Sequence, residues 1–245
     1  MRKAARITLL IFDIYCYIVT IHVIGLILTG YIIIMHLTVR IGKLQMRIQA
    51  VKFISTSLAV LGVCCVLFPL RDTFEPKWKF WHIFSFAIHY GSQFWVTFIA
   101  GMATFMTLPR FWFGEGQKVL FPLYFGLSLV MSTMTLATYI QLNVSHSLGM
   151  SETIALGIAF LSAVINAYYL SDKIVEYTTK RFGLEKDSGT AFKVGFVDLS
   201  ELRKNKEYYI ADKTFRLYHH LSWVSNMSGF FANTVYLYLL SSHYL

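Results

Sequence analysis

The stretch IFSFAIHYGSQFWVTFIAGMATFMTL, residues 83–108, contains no Asp, Glu, Lys or Arg. It is longer than the roughly 18 apolar residues that identify a membrane span. It also carries imidazole and amide groups, His89 and Gln93, where hydrocarbon is expected. Because exposing such groups to lipid costs free energy, the stretch predicts a membrane helix whose polar side turns toward other helices.

The remainder of the 245-residue chain has the same character. It is 56% hydrophobic and only 14% charged, whereas soluble domains carry about 25% charged residues. Six apolar segments cover residues 7–39, 51–70, 83–108, 119–141, 151–171 and 219–242. They predict an all-α, polytopic membrane helix bundle with six transmembrane helices and a long cytosolic helical hairpin between the last two.

Two regions and one topology follow from these segments. Residues 1–79 form an N-terminal extension with two spans, and residues 80–245 form a four-helix core that includes the hairpin, 172–218. Of the 22 Lys and Arg residues, sixteen lie in the connections after segments one, three and five. The positive-inside rule places those connections in the cytosol and both termini on the other side. The basic residues alternate with apolar blocks, so we expect no nucleic-acid partner despite a net charge of +9.

Polar residues recur at helical spacing inside the spans. The stripe on segment three comprises His82, Ser85, His89 and Ser92, with Gln93 and Thr97 beside it, and that on segment six comprises His219, Ser222, Asn226, Gly229 and Asn233. Two interpretations remain open, since such groups either join helices or line a polar cavity for a lipid headgroup. The candidates for lipid or cavity contact are His82, His89, Ser92, Gln93, Asn166, His219, Ser222 and Asn226.

Catalytic and metal-binding patterns are missing from the sequence. There is no H-E-x-x-H motif, and no pair of carboxylates lies within the spans. His82 and His89 are separated by about 10 Å along a helix, too far to share one metal. The three cysteines have no C-x-x-C spacing. We therefore expect a non-enzymatic protein without cofactor or metal.

The connection LPRFWFGEGQKVLFP, residues 108–122, is predicted to be a tight turn at the cytosolic interface. Its aromatic residues suit an interfacial belt, and Arg110 and Lys118 are candidates for headgroup contact. Gly114 and Gly116 are expected to permit the reversal, and Pro122 is expected in the first turn of segment four.

The hairpin 172–218 divides into three parts. Residues 171–182 predict a helical extension of segment five, with Glu176 and Lys180 at i,i+4 spacing. The glycine-broken stretch 183–200 predicts a loop. Ser200 is a candidate N-cap for a helix that runs directly into segment six.

The motifs Q-x-W-V-T-F (93–98), L-P-R-x-x-F-G (108–114) and Q-x-x-L-F-P-x-Y-F (117–125) resemble the eukaryotic transmembrane protein 205 family. The similarity covers roughly residues 80–240. It implies a four-helix membrane core in secretory-pathway membranes, with no established catalytic residues, and links to trafficking and resistance to toxic compounds. The two N-terminal spans depart from that pattern.

Together these features favour a non-enzymatic membrane subunit of a larger endoplasmic-reticulum assembly that assists lipid transfer or lipid uptake from the bilayer. The expected partners are membrane phospholipid and other membrane or lipid-transfer proteins, contacted through the first helix and the hairpin. The plasma membrane is a second possible location. The alternative function is a small-molecule or ion transporter.

Overall fold

A computed structural model describes residues 44–67, 75–143 and 149–244. These residues are almost entirely helical, and their single β-type contact is an isolated bridge between Pro109 and Val194. The predicted all-α class is confirmed over this part of the chain. Segment 7–39 lies outside the described residues, so the count of six spans and the partner role of the first helix stay predictions.

The described helices are numbered in chain order. They are α1 (Leu44–Leu67), α2 (Glu75–Phe94), α3 (Gly101–Thr107), α4 (Arg110–Leu142), α5 (Met150–Ile165), α6 (Ser171–Asp187) and α7 (Lys206–Tyr244). Two π-helical segments, π1 (Trp95–Ala100) and π2 (Asn166–Leu170), join α2 to α3 and α5 to α6 without a break in the helical path.

Two of the described helical runs are long and apolar enough to cross a membrane, Arg110–Leu142 and Met150–Asp187. They contain the predicted fourth and fifth segments. The second run continues past residue 171, which confirms the predicted helical extension, and Lys180 Nζ donates to Glu176 Oε1 at 2.7 Å.

Contacts along the chain define two compact units, Met1–Ile54 and Ser55–Leu245. Of the first unit, the structure describes only residues 44–54, the start of α1. The second unit contains every site discussed below. The predicted boundary near residue 79 stays a prediction.

The second unit is a bundle of four helical runs, α2–π1–α3, α4, α5–π2–α6 and α7. One apolar cluster near the α4–α5 connection joins Phe86, Tyr139, Leu156 and Tyr236, which come from all four runs. A second cluster lies farther along the bundle and is formed by Tyr124, Phe125, Leu129 and Ala167. The bundle therefore buries its apolar residues at more than one level along its length.

The predicted turn lies at a different place from the one expected. Leu108 and Pro109 are extended, with ψ angles of 143° and 141°, and α4 begins at once at Arg110. A residue before proline disfavours the helical region, so the reversal occurs there. Gly114 and Gly116 lie inside α4, and Pro122 lies in its interior. The expectation that the glycines make the turn was wrong.

The predicted N-cap of the last helix was also wrong. Residues 202–204 form a single 3₁₀ turn, and α7 begins at Lys206. The Oδ1 atom of Asn205 accepts hydrogen bonds from the backbone N–H groups of Glu207 and Tyr208, at 2.8 and 3.2 Å. Asn205 is therefore the cap, and Ser200 belongs to the preceding turn.

Candidate functional site

Polar side chains of α2, α4 and α7 meet near the end of the bundle that holds the α4–α5 connection. The two ring nitrogens of His82 form hydrogen bonds with Thr138 at 3.0 Å and with Tyr236 at 2.6 Å. One turn farther along, Ser85 Oγ lies 3.0 Å from Thr135 Oγ1. All five residues are buried. The predicted stripe of segment three therefore faces the bundle interior and joins helices there.

The side-chain amide of Gln93, on α2, forms hydrogen bonds with α7 about two turns beyond Ser85. Gln93 Oε1 accepts a hydrogen bond from Asn233 Nδ2 at 2.7 Å, and Gln93 Nε2 donates to Asn226 Oδ1 at 3.5 Å. Asn233 Nδ2 also lies 3.3 Å from His89 Nδ1. Gln93 is only 2% exposed, so its amide has exchanged water for these protein partners.

Asn226 joins three helical runs. Its Oδ1 accepts from Tyr124 Oη at 2.7 Å on α4, and its Nδ2 donates to Thr97 Oγ1 at 2.9 Å on π1. Together with the hydrogen bond from Gln93 Nε2, Asn226 Oδ1 thus accepts two hydrogen bonds. Asn226 and Thr97 are only half-buried, so this end of the network reaches the outer surface of the bundle between π1 and α7.

A second polar cluster lies between π2 and α7. Asn166 Nδ2 donates to Ser225 Oγ at 3.0 Å, and Asn166 Oδ1 accepts from Ser222 Oγ. Ser162 Oγ donates to the Ser225 carbonyl oxygen at 2.6 Å. Asn166 is 1% exposed, so its amide is enclosed by the two helical runs that it joins.

Gly229 lets the two clusters approach each other. A Cβ atom at this position would lie 2.9 Å from Ser162 Oγ and 3.2 Å from Gln93 Nε2. Any larger residue would push α7 away from α5 and α2.

Thr97 and Asn166 also lie in the π-helical segments, and such segments occur often at functional sites.

Two buried ring nitrogens remain without a partner among the described residues, His89 Nε2 and His219 Nδ1. The His219 ring stacks on Phe215, with centroids 5.4 Å apart, and does not join either cluster. Within the described ranges, no group of three His, Cys, Asp or Glu residues could hold a metal ion.

An ionic cluster ties α4, α6 and α7 together beyond segment five, in the predicted cytosolic hairpin. Arg110 Nε and Nη2 donate to the two carboxylate oxygens of Glu185, each at 2.9 Å. Arg181 Nε donates to the same carboxylate at 3.0 Å, and Tyr208 Oη donates to it at 2.9 Å. Asp212 contacts Arg181, Arg203 and Arg216 at 3.2–3.3 Å.

Charge and burial oppose each other at Glu185. Burial alone would raise the pKa of its carboxyl group, but the hydrogen bond from Arg110 and the charges of Arg181 and Arg110 outweigh it and lower the pKa. Burial, followed by the neighbouring Glu185 charge, raises the pKa of Tyr208 to about 12. The carboxylate is therefore ionised and the phenol is neutral at physiological pH.

The predicted residues have different surroundings. His89, Gln93 and Asn226 join one network through Asn233 and Gln93, whereas His82 belongs to a separate group with Thr138 and Tyr236. Asn166 and Ser222 join the cluster between π2 and α7, and Ser92 donates only to the His89 carbonyl of its own helix. The predicted headgroup residues Arg110 and Lys118 are 7% and 8% exposed, and they pair internally with Glu185 and Glu115. Headgroup contact by these two cations stays a prediction that their contacts do not support.

Four partners in the networks were missed at the sequence level, Tyr124, Thr138, Ser225 and Tyr236. Two of them are tyrosines in apolar runs, where a phenol is easily taken for part of the core or of an interfacial belt. Thr138 lies one turn from Thr135, on the polar face of segment four. That helical spacing is the signal that would have found it.

Comparison with known proteins agrees with this architecture. Residues 84–182 match a family described as a domain of unknown function (DUF4149). The chain is 30% identical to transmembrane protein 205 of Danio rerio over 171 residues, which is 66% of this chain and 91% of the relative. No solved structure gives a significant match. The four packed runs, their apolar helices and this coverage make the chain an integral membrane protein that belongs to the transmembrane protein 205 family.

Proposed function

We propose that this protein is a non-enzymatic subunit of a larger endoplasmic-reticulum membrane assembly and that it assists lipid transfer or uptake from the bilayer. The interior hydroxyl and amide groups bind one another, which favours a fixed scaffold over a catalytic pocket. The proposal rests above all on the seam between the α2–π1 run and α7, where Thr97 and Asn226 are half-buried and Thr234 is exposed.

The seam is defined by Tyr90, Thr97, Asn226 and Thr234. Tyr90 Oη lies 3.1 Å from Thr234 Oγ1, and Thr234 is exposed. Thr97 and Asn226 are half-buried, each about two helical turns farther along. The polar groups of the seam bind one another, and ester or phosphate oxygens of a phospholipid are further acceptors for its hydroxyl groups. A lipid held at this seam would have its polar part at the network and its chains along the apolar helix surface.

Purification in native nanodiscs followed by native mass spectrometry tests the proposal. The wild-type chain is expected to retain phospholipid and partner proteins. The variant Thr97→Val with Asn226→Leu is expected to retain less phospholipid, whereas Thr107→Val should match the wild type, because Thr107 Oγ1 bonds only to the Ala103 carbonyl of its own helix. Equal lipid retention by all three proteins would contradict a lipid site at the seam.

The alternative function is transport of a small molecule or an ion, and it uses the same polar residues. Half-burial of Asn226 and Thr97 is the observation that favours it. The transporter hypothesis requires substrate flux into proteoliposomes that contain this chain alone. Flux that is lost in the seam variant would favour the transporter over the subunit.

A further inference from the structure

Exposed hydrophobic side chains concentrate in a loop of the predicted cytosolic hairpin. In the aromatic loop, defined as residues 190–197, Phe192 is 57% exposed, Val194 is 47% exposed and Phe196 is 87% exposed. Ala191 and Gly195 are buried, so the loop packs on the protein at these two positions while its large apolar side chains remain exposed. A loop surrounded by water would instead place polar residues at its exposed positions.

The loop is held against the end of α3 and the start of α4. Val194 forms the isolated β-bridge with Pro109, and the Arg110 backbone N–H donates to the Lys193 carbonyl at 3.0 Å. The Phe196 ring lies 5.0 Å from the Phe105 ring, centroid to centroid, in an edge-to-face contact. The position of Phe196 is therefore fixed relative to the helix that carries Phe105.

The depth of Phe105 follows from the lipid-facing surface of that helical run. Its exposed apolar residues extend from Phe80, 59% exposed, to Met106, 55% exposed. At 1.5 Å per residue this distance is roughly 39 Å. A bilayer measures about 30 Å across its hydrocarbon core and about 40–45 Å with its headgroup regions. Phe105, and with it Phe196, therefore lies at the level of the headgroup interface.

The surroundings of the loop match the chemistry of that interface. Trp112 is 58% exposed beside Phe111, whose ring lies 6.4 Å from that of Phe192. Lys193 is exposed, and Lys186 Nζ lies 5.4 Å from the centroid of the Phe111 ring. Interfacial aromatic residues with adjacent lysines favour the anionic cytosolic leaflet.

We propose that the aromatic loop inserts Phe192 and Phe196 into the headgroup–acyl boundary of the cytosolic leaflet. The occupant of this surface is phospholipid, because the exposed apolar surface of the loop continues the lipid-facing surface of α2–π1–α3. The insertion holds the hairpin on the membrane at a point about 90 residues along the chain from α3. It requires only membrane embedding, so it is independent of the lipid-transfer function proposed above.

Depth-dependent fluorescence quenching on the full chain tests the insertion. The three cysteines are replaced by serine, and an environment-sensitive NBD probe is attached to Phe196→Cys or, separately, to Phe192→Cys. Each protein is reconstituted in phosphatidylcholine–phosphatidylserine vesicles that carry a doxyl quencher near the top or near the end of the acyl chain. The control is Glu201→Cys on the same hairpin, where the side chain is 83% exposed and no aromatic residue adjoins it.

Insertion predicts blue-shifted emission at positions 192 and 196 and stronger quenching by the shallow doxyl group than by the deep one. Position 201 should show aqueous emission and quenching by iodide alone. If positions 192 and 196 behave like position 201, the loop lies in water or serves a protein partner, and the proposal is overturned. Because Phe192 and Phe196 are both exposed, labelling either one leaves the core intact, and folding is checked by the thermal transition of each labelled protein.

Discussion

Replacing Glu185 with glutamine is expected to weaken the packing of α4, α6 and α7 at the ionic cluster. The carboxylate is fully buried and accepts from Arg110 Nε and Nη2, Arg181 Nε and Tyr208 Oη, all within 2.9–3.0 Å. Glutamine keeps the volume but removes the charge and one acceptor. Arg181 retains Asp212, whereas Arg110, 7% exposed, loses its bidentate partner.

The size of the effect follows from the buried cation that is left behind. Removing one partner of a buried ion pair costs about 3–5 kcal/mol, because the remaining charge is uncompensated. Glu176→Gln on the same helix is the matched control, since Glu176 pairs with the half-exposed Lys173 and Lys180. Exposed pairs are screened by water, so this variant should remain close to wild type.

The stabilities of the two variants and the wild type are compared in mild detergent. Unfolding is induced either by titration with SDS or by a thermal scan. The pH profile provides a second readout. The folded pKa of Glu185 lies below its ordinary value of 4.5, so its contribution is fully present above that pH and is lost as the pH falls through the folded pKa. Glu185→Gln should lack that part of the acid dependence. Equal unfolding of the two variants, or unchanged acid dependence in Glu185→Gln, would refute the argument.

Three further substitutions test the packing. Gly114→Ala should destabilise the protein by about 1–3 kcal/mol because its Cβ would overlap the Phe182 ring. Gly116→Ala, whose Cβ would have no atom within 4 Å, should stabilise it by up to about 1 kcal/mol through helix propensity. Thermal scans in detergent compare the two variants. Asn205→Ala should cost about 1 kcal/mol through loss of the N-cap, and hydrogen exchange should show fraying of the first turn of α7. Gly229→Ala should separate α7 from α5 and α2, seen as a lower transition temperature and as faster exchange in all three helices.

The long apolar runs could be predicted from the sequence because lipid requires every backbone group to be satisfied within a helix. The inward direction of the polar stripes followed from the cost of exposing polar side chains to lipid, and Gln93 and Asn233 do meet in the interior. The partners of the stripes were harder to predict. Helical spacing identifies a face of one helix, but it does not state which residue of another helix lies opposite.

Arg110 shows which contacts local reasoning does not provide. Its position after an apolar run, beside aromatic residues, is typical of a headgroup contact. In the structure its guanidinium group binds Glu185, 75 residues away in the chain. Neither residue has a local pattern that identifies the other, and the pairing depends on how α6 packs against α4. The aromatic loop was missed for a similar reason, since its glycines indicate an aqueous turn and only the contact between Phe196 and Phe105 gives its depth.

The hydrogen bonds within the spans and the ionic cluster contribute differently to the stability of the bundle. Interhelical hydrogen bonds within a membrane contribute about 0.6 kcal/mol each, because the separated helices also find partners in lipid. The Gln93–Asn233 and Asn166–Ser222 contacts therefore determine which helix faces pack together. They add little to the free energy of that packing. The charged contacts of Glu185 and Asp212 lie outside the apolar segments, where ionised groups can be kept without a large membrane cost. The hydrogen bonds across the seam therefore oppose separation of π1 from α7 less than the ionic cluster opposes separation of α4, α6 and α7.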